Sequence, residues 1–370
     1  MGTDEQVGAG APSSKPAVCF LGPISSYTHQ ATMQAFPADQ FDLMPVTTIK
    51  DIFDTTQSGA ATYGVVPFEN STNGSVVFTL DNFADRSNVY GDLNVCREIY
   101  LEVHHCLVGH IDTSSTSTPS AKEAETDKEA SAGAQEARSR PSHSISHIRR
   151  VYSHPQAFGQ CTAFLGSWLR GIETVDVSST SRAAELALAD KSGTSAAISS
   201  SVAAELLGLD VLARNIEDRD DNKTRFFVLR RGVEGDDAAT TAAAAAAAPS
   251  STMIPSETKT GEKEVKEEED DDDDAELLSS TKSLLSFTVP HRSPGALADV
   301  LSCFRRGGLN LTSINSRPSL AGATAFEYVF FVEFEGHRFR DPRGRVARVL
   351  EDVAAVARTS RWLGSWENMG

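Results

Sequence analysis

An α/β fold followed by a smaller βαββαβ domain is what the sequence predicts, on three observations. Strand-like and helix-like runs alternate between Ala17 and Arg231. A second apolar-patterned block runs from Lys282 to Trp366. Between the two lies a tract dominated by alanine, serine and acidic residues. The 370 residues are too many for one compact core and suit two or three.

In the first block AVCFLG, YGVVPF, HIRRVYSH, SAAISS and TRFFVLR read as strands. His29 to Phe36, Val76 to Ala84, Ala157 to Leu169 and Ser181 to Ala189 carry apolar residues at helical spacing. In the second block SLLSFTVP is a strand, PGALADVLSCFRRGG a helix stopped by Gly307 and Gly308, and LNLTSINSRP and AFEYVFFVEFEG are strands. A DPRG turn leads to the helix RVARVLEDVAAVAR and a last strand, RWLGSW. That order is the ferredoxin-like one.

Two segments break the globular pattern. Ile111 to Ser146 holds almost no large apolar residues and reads as a surface insertion. Residues 232–281 hold a run of seven alanines, Ala242 to Ala248, and then EKEVKEEEDDDDDAE, and read as an interdomain linker. With residues 1–16 taken as an unstructured N-terminus, the expected domains are 17–231 and 282–370. Net charge is −17, yet twelve acidic residues and four lysines between Ser256 and Lys282 account for −8, leaving −9 for the rest. The acidity is therefore mostly a solvated tract, and it argues against nucleic acid or an anionic membrane as partner. The five scattered cysteines have no metal-ligand spacing and suit a reduced, cytoplasmic protein. No run approaches the ~18 apolar residues of a membrane span. The N-terminus has neither a signal-peptide nor a transit-peptide composition. The roughly sixteen residues before the first strand leave no room for a fused mutase or dehydrogenase.

Polar bursts stand where strands end. LGPISSYTHQAT, VVPFENSTNGSV, VYSHPQAFGQC and SSTSRAAELA each place small polar groups between a strand and a helix, and DRDDNKTRFFVL places them before a strand. Ligands of open α/β sheets sit at such loops. Each cluster alone is explained by helix capping, whereas five in one domain point to a pocket. His29 and His154 are candidate acid–base groups, with capping an equal alternative. Neither a Gly-rich phosphate loop nor a GxSxG elbow occurs. The residues themselves lead to a cofactor-free pocket for a small, polar, anionic ligand.

YGVVPFENSTNGSV, VYSHPQAFGQC and NKTRFFVL, in that order, resemble the signatures of the prephenate dehydratases with a C-terminal ACT regulatory domain. LGPISSYTHQAT resembles the family's N-terminal motif, where Gly-Thr-Phe-Ser is more usual than Ser-Ser-Tyr-Thr. The resemblance implies a catalytic part of two lobes around a cleft, like periplasmic binding proteins, with crossings near Cys106 and Ser195. It implies loss of carbon dioxide and water from prephenate to give phenylpyruvate on the route to phenylalanine. Aromatisation drives that reaction, so no cofactor or metal is implied. Thr224 becomes the leading catalytic candidate, joined by Ser153, Gln160, Glu69 and Asn70. Ser71, Arg225, Phe226, Ser179, Thr180 and Ser181 become candidate substrate-binding residues. Arg225 suits a carboxylate by its fork geometry, or else ties the lobes together.

In the second domain Pro294, Gly295, Ala296 and Leu297, with Asn315, Ser316, Arg317 and Pro318, resemble the two ACT segments that bind phenylalanine; the family more often has Glu where Asn315 stands. The resemblance implies feedback by L-phenylalanine and a homodimer or homotetramer with effector at the interface. Arogenate dehydratase and a non-catalytic amino-acid-binding regulator are the alternatives. Thr224, Ser153 and Gln160 together speak against the regulator, which needs no donor to a leaving group.

Overall fold

A computed structural model describes residues 15–112, 137–232, 276–319 and 326–370. The expectations for residues 1–14, for the middle of the insertion and for most of the linker lie outside the described residues. The chain begins with β1 (Ala17–Leu21), α1 (Tyr27–Ala35), β2 (Asp42–Val46), α2 (Ile49–Gln57), β3 (Tyr63–Asn70), the short β4 (Gly74–Ser75), α3 (Val77–Phe83) and β5 (Leu93–Glu102). β1 lies parallel between β2 and β3. Local chemistry starts the helices. The Ser26 side chain accepts from the His29 N–H at the head of α1, and Thr48 with Asp51 forms a capping box on α2.

The second lobe holds β6 (Cys106–Gly109), β7 (Arg150–Ser153), α4 (Pro155–Gly159), α5 (Thr162–Trp168), β8 (Glu173–Asp176), α6 (Thr180–Ala189), β9 (Ser195–Ser199), α7 (Ser201–Leu207) and β10 (Asp210–Ala213). Its sheet order is β10-β6-β9-β7-β8. The helix expected from Ala157 to Leu169 is two helices, broken at Gln160 and Cys161, because Cys161 leaves helical geometry at φ −126° and ψ 28°. The end of the insertion packs onto this lobe: Ala137 and Ile145 join its core, and Ser142 N–H donates to the Leu212 carbonyl at 2.7 Å.

The chain returns as β11 (Lys223–Arg231), which inserts antiparallel between β3 and β5 and completes the first lobe. The first crossing, just before Cys106, stands where it was expected. The second does not fall near Ser195. β9 is buried along its whole length in the middle of the second sheet, and β10 still follows it, so the chain leaves only between Ala213 and Lys223. The two crossings run side by side, Val103 N–H donating to Asn222 O at 2.8 Å and Ile216 N–H to His105 O at 3.0 Å.

The C-terminal unit follows the predicted order: β12 (Thr281–Thr288), α8 (Ala296–Arg306), β13 (Leu311–Pro318), β14 (Tyr328–Glu335), α9 (Arg345–Val356) and β15 (Thr359–Glu367). Its antiparallel order β13-β14-β12-β15 continues into the first lobe's sheet, because β15 meets β5 in parallel at Gly364 and Val95. One core spans that joint, with Leu284, Phe331, Leu363 and Trp366 packed against Phe68, Phe83 and Phe227. Gly364 makes the approach possible: it has φ 140°, and a Cβ there would sit 2.0 Å from the Val95 carbonyl oxygen. Gly364→Ala is therefore expected to destabilise the fold by about 3 kcal/mol, read as a lowered urea midpoint; an unchanged midpoint contradicts the backbone contact.

Candidate active site

Four of the five polar bursts meet where the two crossings pass between the lobes. Thr224 stands at the start of β11 opposite Asn70, the last residue of β3. The Asn70 amide is held from both ends. Its Oδ1 accepts from the N–H groups of Thr72 and Asn73, the Asn-turn geometry that the STNG stretch encodes. Its Nδ2 donates to Thr224 Oγ1 at 3.0 Å and to Asn222 Oδ1 at 2.8 Å. Asn222, buried in the second crossing, donates through Nδ2 to Gln160 Oε1 at 3.3 Å. His105 Nε2 lies 2.8 Å from the same oxygen, and its Nδ1 lies 2.9 Å from the Tyr27 hydroxyl.

The partners orient the chain, with the Tyr27 hydroxyl also 3.1 Å from the His104 carbonyl oxygen. Gln160 Oε1 can only accept, so His105 carries its proton on Nε2 and takes the Tyr27 O–H on Nδ1. With its oxygen engaged twice, Gln160 keeps its NH₂ group for something else. Thr224 Oγ1 accepts from Asn70, so its own proton is left to donate. The junction thus holds two groups with donor capacity to spare, one from each lobe.

Burial sets the protonation states. Desolvation lowers the His105 pKa below its ordinary 6.5, with the Gln160 hydrogen bond and the charge of Glu217 working the other way and His104 adding to the lowering. Desolvation, and after it the proximity of Cys106, Cys161 and Glu217, raises Tyr27 well above 10.0, so it stays a hydroxyl. The buried Glu217 supports the crossing: it accepts from the His105 backbone N–H at 2.9 Å and lies 3.0 Å from His104 Nδ1. Asp218 caps α5 through the N–H groups of Thr162 and Ala163, and its own N–H donates to Gln160 O at 2.7 Å. The break between α4 and α5 is what places Gln160 at this junction.

Other expected residues are placed differently. Phe226 is fully buried among Val18, Phe20 and Ile99 and does not reach the cleft. Arg225 does not face the cleft. Strand alternation turns it away from Thr224 into the joint with the C-terminal unit, where it contacts Glu98 and Glu333. Ser153 is fully buried and donates to the Ile198 carbonyl at 3.0 Å, which makes it a brace of the second sheet. The Ser71 hydroxyl is used twice by the backbone, donating to Asp221 O at 2.9 Å and accepting from Lys223 N–H at 3.0 Å. Glu69 stands half-exposed in register with Arg225 and Ser75, outside the chain of hydrogen bonds. Ser179 caps α6 by accepting from Arg182 N–H, Thr180 is half-exposed and Ser181 is buried. His154 caps α4, and His29 stacks on Phe20 while its Nδ1 accepts from Ser25 N–H, so both take the capping role.

Tyr27, His105, Asn222 and Glu217 were not singled out from sequence. Tyr27 and Asn222 lie inside two of the polar clusters, but their partners are distant in the chain. Nothing local marks His105 or Glu217.

The two expected effector segments have different surroundings. Gly295, Ala296 and Leu297, with Val289, Leu301 and Phe330, line an open groove of about 480 Å³ at the head of α8. Asn315 and Arg317 of β13 face the first lobe: Asn315 Oδ1 accepts from Ser75 Oγ at 2.7 Å and Arg317 forks onto Asp81 at 2.8 and 3.2 Å, while Arg86 donates to the Pro318 backbone O at 2.9 Å and Ser316 and Pro318 pair with the groove-lining Phe330 and Tyr328. Ser316 is exposed. Among the described residues no group of three His, Cys, Asp or Glu side chains gathers to hold a metal, and no helix is long and apolar enough to cross a membrane.

A family model described as prephenate dehydratase matches residues 18–234, which is more than half of the chain. The chain belongs to the prephenate dehydratase family. Bifunctional chorismate mutase/prephenate dehydratase of Aquifex aeolicus is 30% identical over 352 residues, covering 95% of this chain and 74% of the relative. The probable prephenate dehydratase of Saccharomyces cerevisiae is 29% identical over 347 residues, covering 86% of each. Among solved structures, the prephenate dehydratase of Arthrobacter aurescens in complex with L-Phe is 26% identical with TM-score 0.66, covering 95% of this chain and 90% of that one.

Neutral His105 favours the folded chain, because the unfolded chain takes up its proton first as pH falls. Its contribution to stability is complete above about 6.5 and declines below it, with His29, also lowered by burial, acting in the same direction. Urea midpoints are expected to fall from about pH 7 to about pH 5, and less steeply in His105→Gln. Equal slopes in both proteins contradict the assignment.

Proposed function

We propose that the junction of the lobes binds prephenate, with Thr224 donating to the departing ring hydroxyl and Gln160 donating to a substrate carboxylate. The chain is a lyase that converts prephenate to phenylpyruvate, carbon dioxide and water. The carrying observation is the hydrogen bond from Asn70 to Thr224 Oγ1, which leaves the threonine proton directed elsewhere.

In the reaction the bond from the ring to its carboxylate carbon breaks and releases carbon dioxide. Its electron pair enters the ring, and the bond to the ring hydroxyl breaks with its own pair. The departing hydroxide takes up a proton and leaves as water, and the ring is aromatic. Negative charge therefore develops on the leaving oxygen, and a fixed O–H donor stabilises it more in the transition state than in the bound substrate. Desolvation by the closing lobes strengthens that hydrogen bond. The α6 N-terminus with Thr180 supplies a further anion-holding end on the second lobe.

L-Phenylalanine is assigned to the groove at the head of α8. A related enzyme was solved with L-Phe. Here the groove combines apolar walls at Leu297, Leu301 and Phe330 with a helix start that no side chain caps. Ser316 and Pro318 pair with Phe330 and Tyr328 at the wall of that groove, while Asn315 and Arg317 are held against the first lobe; the assembly is assigned as a homodimer or homotetramer of a cytoplasmic enzyme. The substrate is assigned as prephenate in preference to arogenate.

The test is phenylpyruvate formation from prephenate. Thr224→Val is expected to lower kcat by about 100-fold while Thr224→Ser retains most of it, and L-phenylalanine is expected to suppress the wild type. Full activity in Thr224→Val removes the donor role, and an inert wild type that also fails with arogenate removes the enzyme assignment.

A further inference from the structure

Four charged side chains meet in the joint between the first lobe and the C-terminal unit. Arg225 of β11 contacts Glu98 of β5 at 2.7 Å and is hydrogen-bonded to Glu333 of β14. Lys282 of β12 lies 3.3 Å from Glu98 and 3.9 Å from Glu333. All four are buried, at 8% side-chain exposure or less. The quartet is electrically neutral, two cations against two carboxylates, with one of each from either side of the joint. Burial alone works against the Arg225 charge, but Glu333 and Glu98 outweigh it and raise its pKa. Aromatic faces close the site: the guanidinium lies 4.9 Å from the centre of the Phe227 ring and 5.4 Å from that of Phe68. Thr312 donates to the other Glu333 oxygen at 2.6 Å, fixing that carboxylate within its own sheet.

Arg225 is also the residue after Thr224. The two side chains leave β11 on opposite faces, and the pairing with β3 slips by one residue immediately after Arg225. Such an irregularity loosens the ladder and lets a strand end be re-aimed. On its other edge this end of β11 keeps an unbroken ladder with β5, and the quartet adds a side-chain hold one residue from the hydroxyl.

We infer that Glu333, from the C-terminal unit, is a positioning residue for Thr224: through Arg225 it sets the direction of the Thr224 hydroxyl, so the active site is completed from outside the catalytic lobes. This rests on the Thr224 assignment above. It also gives a physical route by which displacement of the C-terminal unit lowers turnover without touching substrate.

The experiment compares full-length variants for kcat and KM with prephenate. Lys282→Met combined with Glu333→Met keeps the quartet neutral and fills its space, a replacement that folded proteins commonly tolerate. It is expected to lower kcat by about tenfold or more with KM little changed. Glu333→Gln, which keeps an acceptor for Arg225, is expected to recover most of the loss. Asp85→Asn is the control, since it breaks the 3.4 Å pair with Arg361 elsewhere in the same joint. Wild-type kcat in the double Met variant overturns the inference. So does an equal loss in Asp85→Asn, which assigns the effect to undocking of the unit as a whole. Loss of activity in Thr224→Val alongside a fully active double Met variant sinks this inference and leaves the Thr224 reading standing.

Discussion

The return of β11 between β3 and β5 is the constraint on which the rest of the structure depends. It closes the first lobe with a strand that has already visited the second, so both crossings must run together. Running together, they bring Asn222 beside Val103 and Ile216 beside His105, within reach of Gln160 from the second lobe. The same strand presents Thr224 to the cleft and Arg225 to the C-terminal unit. A single pairing thereby builds the junction of the lobes and its contact with the third sheet segment.

The site itself works by elimination of freedom. No strong acid stands at Thr224; its hydroxyl is aimed by an asparagine whose own oxygen is locked in a turn and whose nitrogen is shared with a second asparagine. Three amides and an imidazole in a row have only one consistent arrangement of donors once the Gln160 oxygen is taken. That consistency costs nothing to maintain at neutral pH, because burial keeps His105 uncharged and Tyr27 protonated. Satisfied networks of this kind hold a single geometry, which is what a weak donor needs in order to act on one developing charge.

The C-terminal unit is joined by more than the linker. A continuous sheet, a shared aromatic core around Phe227 and Trp366, and the buried charge quartet all fasten it to the first lobe. On the other flank, β13 is bound to α3 and to Ser75 beside the Asn70 turn. A segment expected to hold effector is thus also in contact with the hairpin that carries the site.

The amino-acid sequence by itself determined the α/β alternation, the βαββαβ order, and the clusters that carry Thr224, Asn70 and Gln160, because apolar period, turn dipeptides and caps act over a few residues. It did not determine which polar groups of those clusters face the cleft. Ser71, Ser153, Arg225 and Phe226 have the right chemistry in the right motifs, yet each is turned into the backbone, the sheet or the core. Only the tertiary structure decided that, since the face a strand residue takes depends on which partner strand pairs with it and in what register. It alone brought His105 to Tyr27, 78 residues away, and Glu333 to Arg225, 108 residues away. Contacts of that separation have no local signature, since their energy is realised only when distant strands pack.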